Sequence, residues 1–124
     1  MEATIFTIIA YIAMLVGHEA LHYIVARAYG FEGLRLRIEL SRGIIGFTFT
    51  SAPLRGLVAA LLAPQAITVA ALAVYLATGS IVALAVLASN VAGSIPDYIN
   101  ALDAFRLSSR YRVVVVTERG LAFA

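Results

Sequence analysis

The chain contains no cysteine, no tryptophan and no lysine in its 124 residues. Without cysteine there are no disulfides, no thiolate metal sites and no cysteine nucleophile. Without tryptophan, an aromatic belt at a membrane surface has to rest on tyrosine, with arginine beside it. Charge is scarce as well: 13% of residues are charged, against roughly a quarter in soluble domains. The net charge of +2 is too small to argue for nucleic acid, and no basic stripe carries interleaved aromatics. What the chain has is apolar surface, with 62% hydrophobic residues and a mean hydropathy of +0.96. So little charge does not cover a water-facing surface. The composition therefore excludes an ordinary soluble enzyme and a disordered or collagen-like chain. It leaves an integral membrane protein. At about 20 residues per crossing, the length allows one domain of roughly three spans.

The first span reads Thr4 to about Arg27, with its polar residues in the second half and Gly30 as a stop. Met1 and Glu2 supply no positive n-region, and the apolar run is too long for a signal peptide, so a retained helix is expected. Residues 31–50 change period. Leu34 to Leu40 alternates apolar and charged, Ser41-Arg42-Gly43 offers turn chemistry, and Ile45, Phe47 and Phe49 alternate with small or polar residues. That pattern predicts a β-hairpin. The second span is expected over about 57–77, with Pro53 before it and Pro64 and Gln65 inside. The third is expected over about 81–105, after the Gly79-Ser80 turn. The tail, 108–124, is polar and then carries one strand, Tyr111 to Thr117. The expected fold is an all-α integral membrane protein with three transmembrane helices. A β-hairpin joins the first two, and a short strand follows the third. Residues 1–124 are expected to form a single membrane domain with no soluble domain attached.

All nine basic residues are arginines, and they are one-sided. Arg27, Arg35, Arg37, Arg42 and Arg55 flank the first loop, and Arg106, Arg110, Arg112 and Arg119 lie in the tail. The positive-inside rule then predicts a multi-pass protein of the cell membrane. Its hairpin and C-terminus are cytoplasmic and its N-terminus is outside.

Inside the first span lies His18-Glu19-Ala20-Leu21-His22, an HExxH pattern. Residues four apart share a helix face, so both imidazoles reach one metal ion, and Glu19 lies beside that face. Such a site suits Zn2+, which lowers the pKa of a bound water to near 7 while the glutamate takes its proton. An ionised residue at mid-helix in a bilayer costs roughly 2.5–3.5 kcal/mol, so three ionisable residues in one span call for a compensating role. His18 and His22 are the only histidines. A third ligand therefore has to be a carboxylate, and the choice falls between Asp97 and Asp103. At about 100° per residue Asn90 and Asp97 nearly eclipse, with Ser94 on the same side, which makes a polar stripe, and Pro96 is expected to kink the helix there. Asp103 points about 120° away and is spaced for an ion pair with Arg106. His18 and Asp97 each lie nine residues before an arginine, Arg27 and Arg106, so they match in depth. The expected ligands are His18, His22 and Asp97, with Glu19 as catalytic base. Asn90 has two open roles: an oxyanion donor or polar support between helices.

These pieces resemble the site-2 protease family of intramembrane zinc metalloproteases. They are closer still to the zincin peptidase family of small membrane proteins. That family has HExxH in the first span, a proline in the second and a glycine-rich turn before an aspartate in the third. The matching residues are His18-Glu19-Ala20-Leu21-His22, Pro64 and Gly93-Ser94-Ile95-Pro96-Asp97. The site-2 pattern of Leu-Asp-Gly is departed from: Pro96 directly precedes Asp97, and Leu102-Asp103 is followed by Ala104. The resemblance implies hydrolysis of membrane-embedded protein or peptide substrates by a zinc-activated water, within the lipid bilayer and without nucleic acid. Alternatives are a non-proteolytic metal-binding membrane protein and a membrane interaction subunit. A helical substrate hides its carbonyls, so a protease here needs an extended segment. The uncharged stretch Ile44 to Thr50 is suited to adding one as an extra strand.

Overall fold

The structure of the protein, a computed structural model, describes residues 2–124. Helix α1 runs Glu2–Ala28. It stops as the glycine predicts. Gly30 takes φ 74°, its N–H bonds Arg27 O at 3.1 Å, and the Phe31 N–H bonds Ala26 O at 3.1 Å, a Schellman ending. Strands β1 (Arg35–Glu39) and β2 (Ile44–Thr48) form the expected antiparallel hairpin, with Arg35 opposite Thr48 and Glu39 opposite Ile44. Strand β3 (Ser51–Pro53) leads into α2 (Leu54–Leu62) and α3 (Gln65–Thr78). Gly79, at φ 66°, caps α3, and Ser80 caps the next helix by accepting the Ala83 N–H at 3.3 Å. Helices α4 (Ile81–Gly93) and α5 (Ile95–Leu107) follow, then strands β4 (Val113–Thr117) and β5 (Gly120–Phe123).

Two segments, Thr4–Ala28 and Leu54–Thr78, are each 25 residues long and apolar enough to cross a membrane, and α4 with α5 makes a third if the bent pair is one span. A 25-residue helix rises about 37 Å, more than the roughly 30 Å of hydrocarbon in a bilayer. The apolar side chains of α1 face outward: Phe6 is 62% and Ile9 59% exposed. So large an apolar surface is rare in water and suits lipid. The packed core sits at one end of the helices. Ala26, Phe31, Ala52, Leu54, Ala60, Ala104 and Val114 cluster there, where α1, α2 and α5 meet the small sheet. Small residues let the backbones approach. A Cβ on Gly56 would stand 2.7 Å from Tyr29 Cβ.

The structure corrects three expectations. The second span begins at Leu54 rather than 57 and is interrupted at Ala63-Pro64, because Pro64 has no N–H to continue the helix. The third span does bend where Pro96 predicts: two helices meet at 47° about Ser94, just before that proline. The tail carries two strands, not one. The valine-rich β4 pairs with both β3 and β5, giving the order β3-β4-β5. The fold is therefore mostly helical with two small sheets, not all-α. Pro53 hid β3 from the sequence, since a proline argues against a strand except at an edge, which is where β3 lies. Finally, Asp103 is exposed and, among the described residues, makes no ion pair with Arg106. The pairing of β3 with β4 has a positional consequence. It brings the loop after α1 and the tail to the same end of the helices.

Candidate metal centre

The centre is built by α1, α2, α4 and α5. Helical spacing puts His18 and His22 one turn apart on α1, with their rings edge-to-face at 4.8 Å. The bend at Ser94 turns Asp97, in the first turn of α5, back toward them. Asp97 Oδ2 lies 3.2 Å from His18 Nε2 and 3.2 Å from His22 Nε2, and the two Nε2 atoms are 3.1 Å apart. His22 is 5% exposed, so these groups meet away from bulk water.

The outer nitrogens decide the proton positions. His22 Nδ1 lies 2.6 Å from Ala60 O, and a carbonyl only accepts, so Nδ1 carries the hydrogen. His18 Nδ1 lies 2.9 Å from Asn90 Oδ1. Asn90 is oriented in turn: its Nδ2 donates to Pro64 O at 3.0 Å and to Thr68 Oγ1 at 2.8 Å. Its oxygen is thus the atom left for His18, and His18 Nδ1 is also the protonated nitrogen. With both rings neutral, each Nε2 presents a lone pair to the other and to a carboxylate oxygen. Three acceptors at about 3 Å with no proton between them repel unless a cation sits among them. Tetrahedral zinc at ligand distances of about 2.0–2.1 Å sets its ligand atoms about 3.3 Å apart. The triangle of 3.1, 3.2 and 3.2 Å matches that edge. The donor set fits zinc, and these are the residues among those described that group in this way.

Pro64 explains the partner of His22. In an unbroken helix the N–H of residue 64 would bond the carbonyl of Ala60. Proline has no N–H, so that carbonyl is freed. Ala63 N reaches it only at 3.4 Å, and the imidazole takes it at 2.6 Å. The network continues outward from Asn90. Thr68 Oγ1 donates to Gln65 Oε1 at 3.0 Å, and Tyr98 donates to the same oxygen from α5.

Glu19 lies beside the histidines on a cavity of about 370 Å³, shared with Gly46, Phe47, Gly93 and Asp97. Among the described residues its carboxylate has no hydrogen-bond or ion-pair partner. Strand β2 passes over it, since a Cβ on Gly46 would stand 3.9 Å from Glu19 Oε2. Among the described residues strand β2 pairs only with β1, so its other edge has no strand partner there.

Of the residues singled out in the sequence, His18, His22, Asp97, Glu19 and Asn90 are brought together and Asp103 is not. The Ala60 carbonyl, Thr68 and Tyr98 were missed. The first had a readable signal, a proline four residues downstream. The other two follow only from packing. The family described as "Putative zincin peptidase" matches residues 11–110. No curated protein and no solved structure matches the chain.

Proposed function

From the premise that the chain belongs to the zincin peptidase family, whose match spans residues 11–110, we propose that it is an intramembrane zinc metallo-endopeptidase. The observation that carries this is the convergence of two imidazole Nε2 atoms and the Asp97 carboxylate on one point. His18, His22 and Asp97 would hold the ion. Bound there, zinc supplies a water of pKa near 7 and polarises a carbonyl. Glu19 accepts the proton of the attacking water on its carboxylate. As the C–N bond breaks, it returns that proton to the leaving amine nitrogen. Asn90 acts as polar support. Both of its amide hydrogens are taken by Pro64 O and Thr68 Oγ1, which leaves none for an oxyanion. The proposed orientation puts the arginine-bearing end in the cytoplasm and the N-terminus outside, and water reaches the site from the cytoplasmic end. The decisive experiment is metal analysis of detergent-purified protein, where one zinc per chain is expected.

Pro64→Ala tests the orienting carbonyl. Alanine restores the N–H that competes with His22 for Ala60 O. Outer partners of metal-ligating histidines are worth about 10- to 100-fold in affinity, and a loss in that range is expected by chelator competition, with helical circular dichroism unchanged. An α-hydroxy acid at position 64 also lacks the N–H and should restore affinity. Equal affinity of Pro64→Ala and wild type would show that the freed carbonyl does not matter.

The open edge of β2 is the proposed holder of substrate. It borders the same cavity as Glu19, so a segment added to it runs past the metal ligands with its carbonyls unshielded. Proline at Thr48 removes a strand donor and restricts the backbone. Thr48→Pro is expected to lose cleavage of a transmembrane test peptide while retaining zinc. Unchanged cleavage would remove the strand from the mechanism and leave the metal centre standing.

A further inference from the structure

Of the nine arginines, two have a carboxylate partner among the described residues, and both are on the hairpin. On the hairpin, Arg37 bonds Glu39, and Arg42 approaches the same carboxylate at 3.8 Å. At the base of the helices, Arg55, Arg106 and Arg112 have no carboxylate partner among the described residues. These three come from distant parts of the chain. The pairing of Pro53 with Val113, and the bond from Leu54 N to Arg112 O at 2.8 Å, bring the start of α2 against the segment after α5. Two adjoining hollows result, of about 370 and 600 Å³, with Arg55 and Ser108 in the walls of both. Arg112 borders the first. Arg106, Val58 and Phe105 border the second.

The placement of Arg55 is unfavourable in isolation. It lies in the first turn of α2, where the helix end is already positive and a cation is disfavoured. Arg106, in the last turn of α5, suits its helix end. Arg55 shares one hollow with Arg112 and the adjoining one with Arg106, so like charges border both, and among the described residues none of the three makes an ion pair. The other wall is apolar, and Phe105 is 65% exposed. A ligand that matches both halves carries a phosphate for the arginines and an alkyl chain for Val58 and Phe105.

We propose that this groove binds one anionic phospholipid, its phosphate between Arg55, Arg106 and Arg112 and an acyl chain along Val58 and Phe105. Basic pockets between membrane helices at headgroup depth suit such lipids. The proposal rests on the bilayer reading of the fold and is independent of zinc, so protein stripped of metal is expected to bind the lipid equally.

Native mass spectrometry of the whole chain, titrated with dioleoyl phosphatidylglycerol or dioleoyl phosphatidylcholine, tests it. One phosphatidylglycerol per chain is expected, with about tenfold preference over phosphatidylcholine. The double variant Arg55→Gln/Arg112→Gln should lose most of that preference. Arg37→Gln/Arg42→Gln removes the same charge from the hairpin and should keep it. Equal binding of the two lipids by wild type would overturn the proposal. So would an equal loss in the hairpin variant, which would mean diffuse attraction. Displacement of the lipid by millimolar inorganic phosphate would mark a free-phosphate site instead and overturn it too.

Discussion

Glu19→Gln is expected to retain one zinc per chain and to lose cleavage of a transmembrane test peptide by on the order of 10²- to 10⁴-fold, the usual worth of a general acid–base group. Glutamine keeps the shape of the side chain but cannot accept the proton of an attacking water. The substitution is mild for the fold, because Glu19 has no hydrogen-bond or ion-pair partner among the described residues and borders an open cavity. Retained zinc with lost cleavage is the signature of a protease. A metal carrier or sensor would keep both its metal and its function in this variant, and an interaction subunit would hold no stoichiometric metal at the start. Wild-type protein that binds zinc but cleaves no extended or helical peptide would leave the metal centre and remove the peptidase.

Asp97→Ala is expected to cost more zinc affinity than the 10- to 100-fold that an outer partner is worth, because it removes one of three ligands. Asp103→Ala should leave affinity and activity near wild type. The two aspartates lie on the same helix, six residues apart. Asp97 Oδ2 stands 3.2 Å from both imidazoles, whereas Asp103 is exposed and away from them. An exposed substitution away from a cap or network usually changes stability by less than about 0.5 kcal/mol, so Asp103→Ala also controls for handling of the protein. Titration with zinc against a chelator, in detergent and with circular dichroism alongside, reads both variants. A damaging Asp103→Ala together with a silent Asp97→Ala would move the third ligand and break the proposed centre.

The two predictions differ in where they came from. The grouping of His18, Glu19 and His22 is legible in one short stretch, because a helix places residues four apart on one face whatever it packs against. The apolar runs likewise announce helices of membrane-spanning length, since too little charge remains to face water. The choice of Asp97 over Asp103 is a harder case. Pro96 announces a kink, but not its direction, and the helix is bent by 47° between Asn90 and Asp97. Despite the bend, both residues reach the two nitrogens of His18.

By itself, then, the sequence determined the long apolar helices, the hairpin, the placing of the arginines along the chain and the two-histidine face. Each is a matter of composition or of a local period. Only the tertiary structure decided the rest. The break at Pro64 was visible as a residue, but that its freed carbonyl meets His22 depends on α2 lying against α1. The union of Ser51–Pro53 with the tail depends on backbone bonds between segments some 60 residues apart. No periodicity encodes such pairings. They are set by which buried backbone groups find partners once the helices have packed.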